Sequence, residues 1–327
     1  MIWLFRALGV LPLRLNHAVG FVLGWLAWWL SSRHRRLTRE NIKQYAQHMK
    51  LNDTKALTRA AIAEQGRSIS ELAVAWTAPA ERLYGLVREC IGWQHIEAAQ
   101  AENRPIILVT PHLGCYDIAG RYMSGRMPIT ALYRPPKQKW LDAIMQQGRV
   151  RAGGATASAD ASGVRTLLRA LKSGGNIVVL PDQVPGGGDG AWVDFFGRPA
   201  YTMTLLPRLA ASANAVVLFF FAERLAHGNG YRIHIESMPE TFSGDRKIAA
   251  RQTNSMVEKL IAKAPAQYLW GYNRYKHPAG APHAEAACCA SCFFFFGVCT
   301  GCHRAGSLRW AAVWEACFFI GEESASR

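Results

Sequence analysis

Residues 104–117, "RPIILVTPHLGCYD", decide how this chain is read. The run from Ile106 to Val109 is short and apolar, most of it is β-branched, and Pro105 and Pro111 bound it. That combination reads as a buried strand. His112 then stands at the strand's carboxyl end. A following helix over 114–122 places Asp117 in its first turns, facing back toward that end. A carboxylate that fixes the tautomer of an imidazole, and stabilises the imidazolium that forms, makes the ring a general base. By spacing alone, H-x4-D does not separate such a pair from two polar residues that share a loop.

Outward from this stretch the pattern repeats. Val164, Leu167, Leu168 and Leu171 fall at helical spacing within 162–172, and Gly174 and Gly175 stop the helix. "NIVVLPD" (176–182) is a second buried strand with Asp182 at its carboxyl end. Strand, helix, strand predicts an α/β fold, a mostly parallel central sheet flanked by helices, whose ligands gather outside the carboxyl ends of the strands. "AVVLFFFAERL" (215–225) and "YRIHIESM" (231–238) flank a Gly/Asn turn of hairpin type. Ala249, Thr253, Met256, Val257, Leu260, Ile261 and Ala264 make a last amphipathic helix, ended by Pro265.

The N-terminal region has another character. Residues 18–32, "AVGFVLGWLAWWLSS", hold no charge and are followed at once by Arg33, His34, Arg35 and Arg36. Fifteen uncharged residues fall short of the roughly 20 that a spanning helix needs, so a tilted or interfacial anchor is as good a reading as a transmembrane helix. The basic cluster puts the rest of the chain on the cytoplasmic side. The expected organisation is a membrane anchor with its basic flank at 1–36, a catalytic domain at 37–278 opening with two linking helices over 37–78, and a cysteine-rich tail at 279–327 without settled order. The net charge of +15 suits nucleic acid, anionic lipid or an acidic carrier protein. The Trp-rich apolar segment selects membrane over nucleic acid.

No G-x-S-x-G elbow occurs, so the simplest use of a His/Asp pair is to deprotonate a substrate hydroxyl for direct acyl transfer. Four ordered motifs extend that reading: "PHLGCYD" (111–117), "ALYRP" with "QQGRVR" (131–151), "LPDQVPGGGDGAWVDFFGRPAYT" (180–202) and "PAQYLWGYNRYK" (265–276). With the N-terminal anchor, they resemble the late acyltransferases of lipid A biosynthesis, the lauroyl/myristoyl type, over residues 1–277. The resemblance implies a transferase of lipopolysaccharide biosynthesis. It moves a fatty acyl group from acyl carrier protein to a hydroxyl of a lipid A precursor, at the cytoplasmic face of the bacterial inner membrane, with no metal or organic cofactor.

Carried residue by residue, His112 is the general base and Asp117 its orienting partner. Arg149 lies in the arginine segment, where a guanidinium holds a phosphate or the developing oxyanion; otherwise it is a solvated helix residue. Asp182 orders that arginine or the acceptor sugar, or else caps a turn. Arg134 pairs with phosphate or is surface charge. Phe195 and Phe196 line an acyl groove or are plain core. The competing readings are a glycerophospholipid acyltransferase, with the same base acting on a glycerol hydroxyl, and a non-catalytic basic protein that adheres to membranes. Members of the family end soon after the R-x-K element at 274–276, whereas this chain continues. Cys289, Cys292, Cys299 and Cys302 make C-x2-C-x6-C-x2-C, whose inner spacing is short for a zinc ribbon.

Overall fold

The computed structural model describes residues 2–133, 139–150, 154–186 and 188–283. The expected tail at 279–327 therefore falls almost wholly outside the described residues, its four spaced cysteines included. A helical layer comes first: α1 (Ile2–Val10), α2 (Leu13–Leu30), α3 (Ser32–His48) and α4 (Lys55–Thr77). Then follow α5 (Ala80–Leu86), β1 (Val87–Ile91), α6 (Gln94–Ala101), β2 (Ile106–Val109), α7 (Tyr116–Ser124), β3 (Ile129–Tyr133), α8 (Lys139–Val150), β4 (Gly154–Ser158), α9 (Ala161–Lys172) and β5 (Asn176–Val179). The chain closes with β6 (Gly190–Phe195), β7 (Arg198–Met203), α10 (Leu205–Ala213), β8 (Val216–Arg224), β9 (Tyr231–Ser237) and α11 (Arg246–Lys263).

Among the described residues the main sheet has seven strands in the order β1-β9-β8-β2-β5-β3-β4. The five from β8 to β4 are mutually parallel, whereas β9 returns antiparallel to β8 and β1 runs with β9. The mostly parallel sheet read from the sequence is therefore present, and so is the β8/β9 hairpin. β2 is buried at every position, as a strand covered on both faces must be. Its alternate side chains feed two cores. Ile107 and Val109 join Val257 and Leu260 of α11, while Ile106 and Leu108 join Ile118 and Met123 of α7. Asp160 caps α9, accepting from the backbone N–H groups of Ser162 and Gly163.

The two helices expected over 37–78 are α3 and α4, but the N-terminal segment departs from the full-span reading. None of the described helices is long and apolar enough to cross a membrane. α2 instead lies on α4, where Gly24 and Gly66 let the backbones touch; a Cβ at Gly24 would overlap the Ile62 carbonyl. On the same face Asn16 donates to the Ser70 carbonyl at 3.0 Å, and His17 Nε2 meets Glu71 Oε1 at 2.5 Å. Glu71 also accepts from Arg224 Nε (2.7 Å) and Nη2 (2.6 Å) and from the Tyr231 hydroxyl (2.7 Å). Burial alone would push the Glu71 carboxyl up, but Arg224 and His17 outweigh it and hold the group well below its ordinary range. These bonds fasten α2 through α4 to β8 and β9. The outer face of α1 and α2 stays apolar and open: Trp3, Leu4, Val22, Leu26, Trp29 and Leu30 are all exposed.

Candidate active site

The loop after β2 is fixed at several points before any side chain is considered. The Thr110 N–H donates to the Val179 carbonyl, and the Leu269 N–H donates to the His112 carbonyl. Gly114 has φ +60, and a Cβ there would overlap the Ala222 carbonyl, so the sharp turn into α7 needs glycine. Cys115, buried beneath, donates its N–H to that same carbonyl at 3.0 Å. The sulfur is sealed in the core, and burial pushes its thiol pKa well up, so it is no nucleophile here.

His112 is held by the strand beside it. Its Nδ1 lies 2.8 Å from Asp182 Oδ1, and its backbone N–H donates to Asp182 Oδ2 at 2.8 Å. β5 pairs directly with β2, so the residues just past their carboxyl ends meet. The carboxylate bonded to His112 is thus Asp182, which corrects the expected pairing of His112 with Asp117. Burial works against ionisation of Asp182, yet the charge and two hydrogen bonds of His112, together with Arg274, keep its pKa below the ordinary value. An ionised Asp182 can only accept at Nδ1, so a neutral ring carries its proton there and offers Nε2 as the acceptor. The Gln183 amide lies 3.1 Å from Nε2 and donates to it. The Tyr116 ring stands edge-on to the imidazole, 5.0 Å between centroids.

Beside His112 opens a cavity of about 410 Å³ between the sheet and α7. Asp117, buried on the first turn of α7, lines its wall together with Gln183 and Tyr116. Farther in, the walls are Leu108, Val178, Ala131 and Phe220, with Ile129 and Gly154 at the amino ends of β3 and β4. Since His112 lies beyond the opposite strand ends, the cavity runs the length of these strands, on the order of 13 Å at about 3.3 Å per residue. The end at His112 is polar, while the length beneath the strands is mostly apolar, with Arg121, Ser124 and Thr156 also on its wall. Gly120 of α7 faces it, and a Cβ there would meet nothing within 4 Å.

The other expected site residues fall elsewhere. Phe195 and Phe196 are almost fully buried, packed against Tyr45, Tyr268 and Trp270, and do not line this cavity. They end β6 and turn into β7, with Phe196 at φ +50 and Gly197 at φ +72, the left-handed pair that a two-residue hairpin requires. Their place is the core, because the hairpin folds inward over α11. Arg149 is on α8, and its side chain is outside the described residues, as is Arg134 altogether. Sequence reasoning passed over Gln183 and Tyr116. Gln183 was findable, because it follows Asp182 at the same strand end.

A family model described as bacterial lipid A biosynthesis acyltransferase matches residues 1–277. The lipid A biosynthesis lauroyltransferase of Escherichia coli (strain K12) is 28% identical over 276 residues, 83% of this chain and 89% of that protein. The palmitoleoyltransferase of the same strain is 30% identical over 220 residues, 66% of this chain and 70% of that protein. A lipid A biosynthesis acyltransferase of Haemophilus influenzae is 33% identical over 183 residues, 56% of this chain and 57% of that protein.

Proposed function

The chain belongs to the bacterial lipid A biosynthesis acyltransferase family, and from that premise we propose that His112 is the general base which activates a hydroxyl of the lipid A precursor. The observation that carries this reading is the imidazole with Nδ1 tied to a buried carboxylate and Nε2 turned to a cavity long enough for an acyl chain. The donor is the thioester of acyl carrier protein, whose acyl group lies in the apolar length of the cavity with its carbonyl beside Nε2.

The acceptor hydroxyl displaces the Gln183 amide and gives its proton to Nε2 as its oxygen bonds to the thioester carbon. Asp182 stabilises the imidazolium that forms. The tetrahedral oxyanion collapses, the C–S bond breaks, and the imidazolium returns its proton to the leaving thiolate. Asp117, on the cavity wall, faces the reacting end. Arg149 holds a phosphate or the developing oxyanion, as the family resemblance implies, and Arg134 pairs with phosphate.

The protein works at the cytoplasmic face of the inner membrane, where the outer face of α1 and α2 sinks into the headgroup layer without crossing it. The exposed Trp3, Trp29, Leu26 and Leu30 support this, beside the basic start of α3. The test incubates the full-length protein with labelled acyl carrier protein thioester and either lipid A precursor or lysophosphatidate. Label should enter the lipid A precursor and be lost in His112→Ala, by about two to four orders of magnitude. Label in lysophosphatidate instead, or undiminished transfer by His112→Ala, overturns the proposal.

A further inference from the structure

A second cavity, of about 860 Å³, lies between α2 and the turn joining β8 to β9. It shares no lining residue with the cavity beside His112. One side is basic: Arg14, Arg67 and His227 line it with Asn229. The other is apolar, formed by Phe21 and Val22, which are 45% and 55% exposed and belong to the open outer face of α2. The cavity is thus amphipathic, and its apolar side is continuous with the surface that meets lipid in the reading above.

The charges here are not balanced internally. Arg224 occupies both Glu64 and Glu71, and Arg67 shares Glu64. The guanidinium groups of Arg14, Arg67 and Arg224 thus outnumber those two carboxylates. Among the described residues Arg14 donates only to the neutral Asn229 amide oxygen, at 3.2 Å. Arg67, whose side chain is 30% exposed, shares its carboxylate partner Glu64 with Arg224. A guanidinium on the cavity wall without a carboxylate of its own is a ready partner for an anion.

We propose that this cavity binds the phosphate of an anionic glycerophospholipid, with Arg14 and Arg67 on the headgroup and the acyl chains lying along Phe21 and Val22. A free anion would satisfy the arginines alone, whereas the joined apolar wall selects an amphiphile. The bound lipid bridges α2, α4 and the β8–β9 turn, and so seats the helical layer at a fixed depth on the membrane. It acts as a resident lipid, apart from the acyl acceptor.

The experiment uses the full-length protein and short-chain phosphatidylglycerol below its micelle concentration, with inorganic phosphate as the second arm. Binding is read by native mass spectrometry and by the shift in thermal midpoint. The lipid should bind and raise the midpoint, and phosphate at equal concentration should not. Arg14→Gln and Arg67→Gln should each weaken lipid binding roughly tenfold, while the charge-matched Arg36→Gln, on an exposed site of α3, should leave it unchanged. Having two pocket variants guards against one that fails to fold. Equal effects of phosphate and lipid, equal losses in Arg36→Gln, or no loss in either folded pocket variant overturns the proposal. It also fails if the pocket variants keep lipid binding and instead raise the KM for acyl carrier protein thioester, which would make the cavity a carrier-protein dock.

Discussion

Asp182 uses both of its oxygens on one residue: Oδ1 lies 2.8 Å from His112 Nδ1, and Oδ2 accepts the His112 backbone N–H at 2.8 Å. One carboxylate thereby sets the ring's tautomer and the loop that carries it. With the pKa of Asp182 held low, the carboxylate stays an acceptor, and a neutral ring carries its proton on Nδ1. Asp182→Asn can present an N–H to Nδ1, which moves the imidazole proton to Nε2 and occupies the base. Acyl transfer should fall on the order of 10⁴-fold with the protein still folded. Asp117→Asn leaves the His112 hydrogen bonds in place, so whatever activity remains should keep the parent's pH profile. Steady-state rates of both variants across pH decide this, and a mild Asp182→Asn would remove the orienting role.

Gln183 gives a second handle on the same ring, from the opposite nitrogen. Its amide donates to the bare Nε2 at 3.1 Å. Gln183→Glu would set a carboxylate there, and an opposite charge within hydrogen-bond reach favours the imidazolium. The acid limb of the rate profile should then move to higher pH by roughly one unit or more, with activity at neutral pH depressed and recovered on the alkaline side. Gln183→Ala should show no such displacement. An unmoved limb in Gln183→Glu would mean that Nε2 is not the catalytic nitrogen.

What the sequence made legible follows from how local each feature is. The strand–turn–helix at 104–124 is written in consecutive residues, and so is the position of His112 and Asp182 at strand ends. That β2 and β5 are neighbours is not written there, because β3, α8, β4 and α9 intervene and only the sheet order brings the two ends together. The nearer Asp117 was therefore paired with His112. β3 and β4, "ITALY" and "GATAS", carry no continuous apolar run and so gave no strand signal. Phe195 and Phe196 were ambiguous for a related reason, since an aromatic pair beside a strand packs inward or outward according to a hairpin whose fold depends on α11. The apolar N-terminal segment showed its hydrophobicity but not its docked face, which depends on Gly66 and Glu71 of a helix some forty residues away.

Gly120 is where chain length should be adjustable. It sits on α7, midway between Asp117 and Ser124 in the cavity wall, and a side chain there would point into open space. Gly120→Leu fills part of the apolar length without touching His112, and replacing glycine within a helix costs nothing in propensity. The variant should favour donors with shorter acyl chains, its kcat/KM for the longest accepted chain falling by roughly tenfold or more, while thermal stability is kept. Competition between acyl carrier protein thioesters of different chain lengths reads this directly. Unchanged selectivity would place the acyl chain outside this cavity.

The last prediction concerns His34, near the start of α3 and against Gly271, where a Cβ would overlap the imidazole. The ring is 4% exposed, and burial lowers its pKa from 6.5 to about 4. The unfolded chain therefore binds a proton that the folded chain refuses throughout this interval. With more protons on the unfolded side, stability rises with pH there, so the folded state is most favoured above about pH 6.5 and loses about 3 kcal/mol on descent to pH 4. Glu71 and Asp182 have depressed carboxyl pKa values, so they withdraw their stabilisation only below the ordinary carboxylate range, at the acid edge of this window. Denaturant unfolding of the parent and of His34→Gln between about pH 7 and pH 4 separates the contribution. The variant loses some stability at every pH if the ring packs well, but its slope with pH should be flatter by about that amount. Parallel slopes would show that His34 does not govern the acid sensitivity of the fold.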